Sequence, residues 1–292
     1  MQFQEIRSKI DRSVNFTAGF GKGVLEARYV RRCEDYFIAY LSSQSGCRLA
    51  CRFCHLTRTR QTSFDQAGVP DLLSQLDRVL SHHRHDETPS PRMNVNFMAR
   101  GDALMNPVVA GGDPDFFIPA VEMAQAAGVP EVMFNVSSIF PKEAAGVDLV
   151  TAYGDHPVTL FWSLYSLNPH FRKRWLPKAE EPEAVFRKLR DFQDRTRHPV
   201  VLHWALIEGE NDTDEDFRLI REAVSDHGLR ARLNLVRYNP ADEGTGQEAS
   251  ESRYEAAMGS ISPVMTVPGS RIVPRVGYDV KASCGMFVAN AR

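Results

Sequence analysis

The chain predicts an α/β fold, a partial (β/α)6-type barrel with a β-hairpin extension at its N-terminal side. Three observations lead there. Short apolar runs alternate with amphipathic stretches from residue 71 onward. Each run has the length and near-continuous apolarity of a parallel strand covered on both faces. Two strand-like runs around a polar turn stand ahead of the series. An open doubly wound sheet shares this alternation and is the second arrangement the pattern allows.

Taken in order, residues 24–30 (VLEARYV) and 36–43 (YFIAYLSS) form the hairpin around the turn RRCED. Residues 71–82 place Leu72, Leu73, Leu76, Val79 and Leu80 at helical spacing. A strand at 93–99 precedes a helix near 115–127, and a strand at 132–138 precedes a short helix near 142–150. Strands at 158–164 and 200–206 precede helices at 181–195 and 214–227, and a strand at 231–238 closes the series. The tail, 262–292, reads as two Pro-punctuated extended segments ending in DVKASCGMF. His82, His83 and His85 read as a solvated helix-to-strand turn, because Arg84 and Asp86 interrupt them. The organisation expected is an N-terminal segment with the first hairpin strand (1–35), followed by a barrel with a C-terminal active-site loop (36–292).

Composition sets the bounds. With 292 residues, 43% hydrophobic and 25% charged, the chain can bury a large core as one soluble domain. No apolar run approaches the roughly 20 residues of a membrane span, and MQFQEIRSKIDRSVNF lacks a secretory apolar region. A cytoplasmic location without membrane association is the expectation. A formal net charge of -2 argues neither for nor against nucleic acid. The local basic clusters Arg28/Arg31/Arg32, Arg52/Arg58/Arg60 and Arg172/Lys173/Arg174 each read as a solvated face.

Of five cysteines, three fall in the segment SSQSGCRLACRFCHLTRT as C-x3-C-x2-C. Disulfide scaffolding does not suit an otherwise Cys-poor chain of this length, so Cys47, Cys51 and Cys54 are metal-ligand candidates. A four-iron cluster normally takes four thiolates. Three leave one iron open to a small molecule, as an open position does in catalytic zinc sites. Zinc itself would want a fourth ligand, and His55 beside Cys54 is awkwardly placed to be one. The spacing therefore points to a [4Fe–4S] cluster with one open iron; such a loop resembles that of radical SAM enzymes, where S-adenosylmethionine (SAM) takes that iron through its methionyl amino and carboxylate groups. Its loop follows an apolar strand, which places it at the barrel mouth.

From Ser42 onward the motifs resemble those of the RlmN/Cfr family of radical SAM RNA adenine methyltransferases, in family order and over about residues 26–284. Ser42-Ser43-Gln44-Ser45-Gly46-Cys47 is similar to the family's lead-in to the cluster loop. Phe97 to Asn106 (FMARGDALMN) resembles F-M-G-M-G-E-P-L-L-N. Val136-Ser137-Ser138 with Pro141, Ser163-Leu164-Tyr165, and Asn234-Leu235 with Asn239-Pro240 match further turns. Gly277-Tyr278-Asp279 and Ala282-Ser283-Cys284-Gly285 are similar to the family's ending. The resemblance implies a radical SAM barrel with a [4Fe–4S] cluster and SAM as cofactors. It implies an RNA substrate (ribosomal or transfer RNA), an electron donor such as flavodoxin, and a monomer. Gly101, Asp102, Ser137, Ser163, Leu164, Tyr165 and Asn239 are the implied SAM-binding residues. Glycine at 101 would let the backbone approach closely.

The adenine C2 and C8 carbons are electrophilic, so the family's route, as the resemblance implies it, is indirect. A methyl group passes from SAM to a protein thiol, here Cys284 on a loop read as exposed and flexible. A radical from a second SAM removes hydrogen from that methyl, and the carbon adds to the ring. A base removes the ring proton, and a second cysteine resolves the protein–RNA crosslink as a disulfide. Glu26, otherwise an exposed strand carboxylate, matches the family's proton acceptor.

The chain departs from the pattern at several positions. Tyr40 stands where the resolving cysteine belongs, and Cys33 lies roughly 20 Å farther along a straight strand, as a hairpin-turn residue. Asp102 replaces glutamate, Tyr165 histidine, Arg100 methionine and Ala103 proline. The family's N-terminal RNA-recognition domain is expected to be missing. These differences leave open a diverged radical SAM enzyme with another reaction or substrate, and a non-catalytic RNA-binding relative.

Overall fold

The computed structural model describes residues 1–289. Its strands are β1 (Gln4–Arg7), β2 (Val14–Phe20), β3 (Gly23–Arg31), β4 (Tyr36–Tyr40), β5 (Arg92–Phe97), β6 (Glu131–Ser138), β7 (Val158–Trp162), β8 (Val200–Ala205), β9 (Ala231–Val236) and β10 (Arg271–Val273). The helices are α1 (His55–Arg58), α2 (Val69–Asp86), α3 (Pro107–Ala110), α4 (Pro114–Ala126), α5 (Leu149–Tyr153), α6 (Pro169–Trp175), α7 (Pro182–Thr196), α8 (Asp214–Asp226) and α9 (Glu251–Ile261). All ten strands join one sheet in chain order. Pairings from β1 to β4 are antiparallel, and those from β4 to β10 are parallel. Six parallel strands with their crossover helices make the partial barrel; β10 extends it on one side and the meander β1–β3 on the other.

Local chemistry starts and stops these elements. Thr213 caps α8: its hydroxyl accepts from the Asp216 amide while the Asp216 carboxylate accepts from Thr213 N, a reciprocal capping box. Asn168 accepts from the amides of His170 and Phe171, with Pro169 opening α6. Phe97, Phe116, Phe117 and Phe134 pack edge-on and tilted between the sheet and α4. Trp162 on β7 meets Phe186 of α7 with ring centroids 4.9 Å apart. No helix among the described residues is long and apolar enough to cross a membrane.

The structure corrects four expectations. The N-terminal segment forms two strands, β1 and β2, which continue the sheet. The short helix expected near 142–150 is a 3-10 turn (Lys142–Ala144) followed by α5, the two separated before the Asp148 cap. The tail begins after a helix, α9, that the pattern did not reveal. The histidine stretch is helical, since α2 continues to Asp86. His82 and His83 face inward there: His83 stacks on Phe37 at 4.1 Å and His82 meets Tyr29 at 4.8 Å. Burial lowers both histidines' pKa values, to about 4 for His83.

Two of the basic clusters are also partly interior. Arg28 is buried, and Arg172 donates to the carbonyls of Leu164, Ser166 and Glu180 from within the core. Arg172 thereby braces the segment after β7. Replacing it by Met strands three acceptors, each hydrogen bond to a charged donor contributing about 1.5–3 kcal/mol. Arg172→Met should therefore lower unfolding free energy by about 2–4 kcal/mol in urea titrations, against under about 1 kcal/mol for the exposed Lys173→Met.

Candidate active site

The C-terminal ends of the parallel strands open onto a cavity of about 230 Å³. Cys47, Cys51 and Cys54 lie on its wall, presented by the loop between β4 and α1. That loop is closed at its base, where Cys47 N donates to Gln61 O at 3.1 Å, and tightened where Cys54 N donates to Cys51 O at 3.1 Å. Ala50 adopts φ 57 between the first two thiols, and Phe53 stacks on Tyr165 at 4.2 Å. Tyr165 itself sits at φ 60, an uncommon conformation for a bulky residue. Asn211 secures it by donating to its carbonyl at 3.0 Å.

The serine-rich lead-in acts as framework. Ser42 Oγ accepts from the amides of Glu26 and Arg100 and donates to Glu26 O. Ser43 and Gln44 both donate backbone N–H groups to Arg100 O. Gly101 has φ +92, and a Cβ there would stand 2.5 Å from Ser43 Oγ. The close approach that requires glycine is thus to this lead-in.

The thiols fit a metal cluster. All are free of disulfides. Burial pushes Cys47 up to about 12 and raises Cys51 and Cys54. Such sites ionise only beside a strong positive charge, which coordinated iron supplies. Among the described residues no three His, Cys, Asp or Glu side chains converge as ligands of a single ion would.

Asp102 lies on the same wall and is buried. Its carboxylate accepts from Ser138 Oγ at 2.7 Å, Ile139 N at 3.0 Å and Leu104 N at 3.1 Å. Desolvation outweighs these donors and pushes its pKa up to about 6. No cation pairs with it among the described residues. Ser137 and Ser163 line the cavity with their hydroxyls 3.4 Å apart.

Other expected site residues are used differently. Leu164 is absent from the cavity wall, and its carbonyl accepts from Arg172 and from Ser166 N. Asn239 reaches the wall but is engaged on every side. It donates to Cys284 O at 2.9 Å, accepts from Arg275 Nε at 2.8 Å, and its carbonyl meets His55 Nε2 at 3.1 Å.

Cys284 lines the same cavity as the three clustered thiols. The residue is exposed, yet its surroundings desolvate the thiol and push it up to about 11. The loop that carries it is pinned rather than free, which corrects the expectation of a flexible segment. His55 N donates to Gly285 O, Arg28 to Met286 O, and Arg100 with Gln61 to Val288 O. Glu26 accepts from Val288 N.

Glu26 is the largest departure from expectation. Its side chain is fully buried and does not line the cavity. It accepts from Arg28 Nη2 at 2.8 Å, Arg100 Nε at 2.7 Å and Asn15 Nδ2 at 3.0 Å. Burial raises its pKa, but the two guanidiniums outweigh burial and hold it below the ordinary value. A carboxylate so paired is a weak proton acceptor. The sequence signal for this was Arg100, a cation in the position of a family methionine.

Tyr40, in the place of the resolving cysteine, lines the cavity opposite Arg28 in the β3–β4 register. Cys33 sits exposed in the turn between β3 and β4, away from the cavity.

No family model matches the chain. Curated proteins named probable dual-specificity RNA methyltransferase RlmN match over most of its length. The Koribacter versatilis protein is 28% identical over 252 residues, spanning 85% of this chain and 67% of its own. The Clostridium beijerinckii protein is 25% identical over 289 residues, spanning 96% and 75%. Among solved structures, a radical SAM methyltransferase from Sphaerobacter thermophilus shares the fold with a TM-score of 0.78, at 18% identity, over 97% of this chain and 80% of that one.

Fold and thiol loop together make the chain a radical SAM enzyme, with a [4Fe–4S] cluster and SAM as its cofactors. Within that class its sequence is similar to the proteins named RlmN, at 25–28% identity over most of the chain.

Two outcomes follow. Glu26→Gln leaves Arg28 and Arg100 buried without a carboxylate, a loss of about 3–5 kcal/mol. Urea unfolding should register it, and limited proteolysis should cut first within 277–289; a cost under about 1 kcal/mol would contradict the assigned role. Asp102 has a folded-state pKa above its unfolded value, so its contribution to stability is complete below roughly pH 4 and is lost as pH rises through 6. In SAM-free protein the loss is about 3 kcal/mol. Asp102→Asn should flatten that part of the stability–pH curve, and an unchanged slope would sink the assignment.

Proposed function

We propose that the chain installs a methyl-derived carbon on an adenine ring carbon of RNA, with Cys47, Cys51 and Cys54 holding the cluster and Cys284 carrying the methyl group. The observation behind this reading is that Cys284, from the far end of the chain, shares one cavity wall with the three clustered thiols. RNA as substrate is supported by relatives named as RNA methyltransferases. An external electron donor of the flavodoxin type fits a cluster that must be reduced.

The cluster, when bound, supplies electrons to SAM, which supplies both the methyl group and the radical that activates it. The protein's part is positioning. Asp102, without a cation of its own, takes the SAM ammonium, and Ser137 and Ser163 offer hydroxyls beside it. Cys284 must ionise to accept a methyl group. Burial opposes this, while the Arg28 and Arg32 guanidiniums favour the thiolate. Asn239 and His55 keep the loop against the cluster segment. Glu26 acts as a positioning residue for that loop rather than as the base.

Tyr40 decides how the cycle ends. A phenol cannot form the disulfide that releases the product, so release needs a thiol from outside the chain, and with Glu26 paired the ring proton passes to a base other than Glu26, such as solvent or that external thiolate. A radical SAM enzyme acting on another substrate is the second reading, favoured by the same residue.

Anaerobic turnover with SAM should add one methyl group to the Cys284 peptide, detectable by mass spectrometry and absent in Cys284→Ala. With RNA and no added thiol, a covalent protein–RNA species should accumulate, and Tyr40→Cys should reduce it. SAM cleavage without methylation of Cys284 would overturn the methyl-carrier role.

A further inference from the structure

The barrel interior continues below the thiols toward the N-terminal ends of the strands, and its wall there is polar. Small barrels usually fill this space with branched apolar side chains. Here Asn94, Asn96, Asn135, His203 and Asn234 line it. At the floor stand three arginines from both ends of the sheet. Arg232 begins β9, Arg271 begins β10 beside Asn234, and Arg32 follows β3 opposite Tyr36. Arg232 and Arg271 thus stand at the N-terminal ends of their strands, and Arg32 lies level with Tyr36, four residues or ~13 Å before Tyr40 along β4.

These cations act on one another. Burial, Arg271 and Arg92 lower the pKa of Arg232. Burial together with Arg32 and Arg271 pushes His203 down to about 4, so it is neutral. Among the described residues none of the three arginines has a carboxylate in ion-pair reach. The buried Nε of Arg32, Nδ1 of His203 and Oδ1 of Asn234 have no hydrogen-bond partner, and Asn234 is only 4% exposed. A folded chain seldom gathers uncompensated like charges and unpaired buried polar atoms without something to receive. Arg271 is exposed, so this end also opens to solvent.

We infer that Arg32, Arg232 and Arg271 form an oxyanion site at the floor of the barrel, which takes a phosphate group of a ligand reaching toward Cys284. Arginine's planar donor fork suits phosphate, and three such forks match a dianion in charge better than a carboxylate. His203 and Asn234, both able to donate or accept, would contact the neutral part of the ligand above it. The site stands independently of methyl transfer.

The test is thermal unfolding of the cluster-loaded full chain, in sodium phosphate against sodium chloride at matched ionic strength. Adenosine 5′-monophosphate is compared with adenosine, and both with an oligoribonucleotide lacking terminal phosphates. Phosphate should raise the midpoint by several degrees with saturation, because a ligand bound only to the folded state stabilises it. The monophosphate should bind at least about tenfold more tightly than adenosine, a difference of about 1.4 kcal/mol. If the oligoribonucleotide reproduces the effect, the phosphate belongs to the RNA; if only the monophosphate does, it belongs to a small molecule. Either result supports the site. Arg232→Gln/Arg271→Gln should lose the increment while unfolding no earlier than wild type in chloride. The exposed Arg271→Gln alone gives the same readout where the double variant folds poorly. An increment absent in wild type, or equal in the variants, would overturn the site whatever becomes of Cys284.

Discussion

The buried Glu26 carboxylate, held between Arg28 and Arg100, is the interaction on which the active end of the molecule depends. A charge removed from water must be paired and hydrogen-bonded on all sides, and this one recruits partners from widely separated segments. Asn15 comes from β2, Arg28 from β3, Arg100 from the turn after β5, and Val288 from the tail. One carboxylate cannot neutralise two guanidiniums. The arginines therefore also spend their donors on the carbonyls of Ser45, Met286 and Val288. Those carbonyls belong to the lead-in of the cysteine loop and to the segment carrying Cys284. The same network thus fixes both thiol-bearing loops.

Two departures from the family pattern become one physical change in this light. Arg100 in place of methionine brings a cation beside Glu26, and a paired carboxylate with a depressed pKa has lost the basicity a proton acceptor needs. Arg28 completes the pairing and lies opposite Tyr40 in the strand register. The substitution at 100 and the neighbour of position 40 therefore meet on the Glu26 carboxylate, and that pairing holds the tail in place.

The barrel strands and most of their helices were legible because each is an apolar run or stripe whose period is local. The cysteine loop was legible for the same reason: its ligands are neighbours in sequence. What escaped depended on distant partners. β1 and β2 are polar or mixed runs whose strand character comes from pairing, β2 along β3 and β1 along β2. α9 carries little amphipathic contrast, with Gly259 inside it. His82 and His83 looked like a solvated turn until Tyr29 and Phe37 were found against them. Glu26 could not be read as buried from its own strand, since its partners lie 74 and 262 residues away. Only Arg100, a charge where a thioether was expected, hinted at it.

The cavity that results is electrically asymmetric, although the chain's net charge of -2 gives no sign of it. One end gathers four thiols and Asp102; the other gathers Arg32, Arg232 and Arg271 with no anion among them. Low-dielectric walls strengthen both ends relative to water. A ligand with a cationic or neutral reactive part and an anionic tail would be oriented by this field before any close contact formed. Asp102 and the arginines are thus complementary halves of one device. The raised carboxyl at the thiol end awaits a cation, and the unpaired guanidiniums at the floor await an anion.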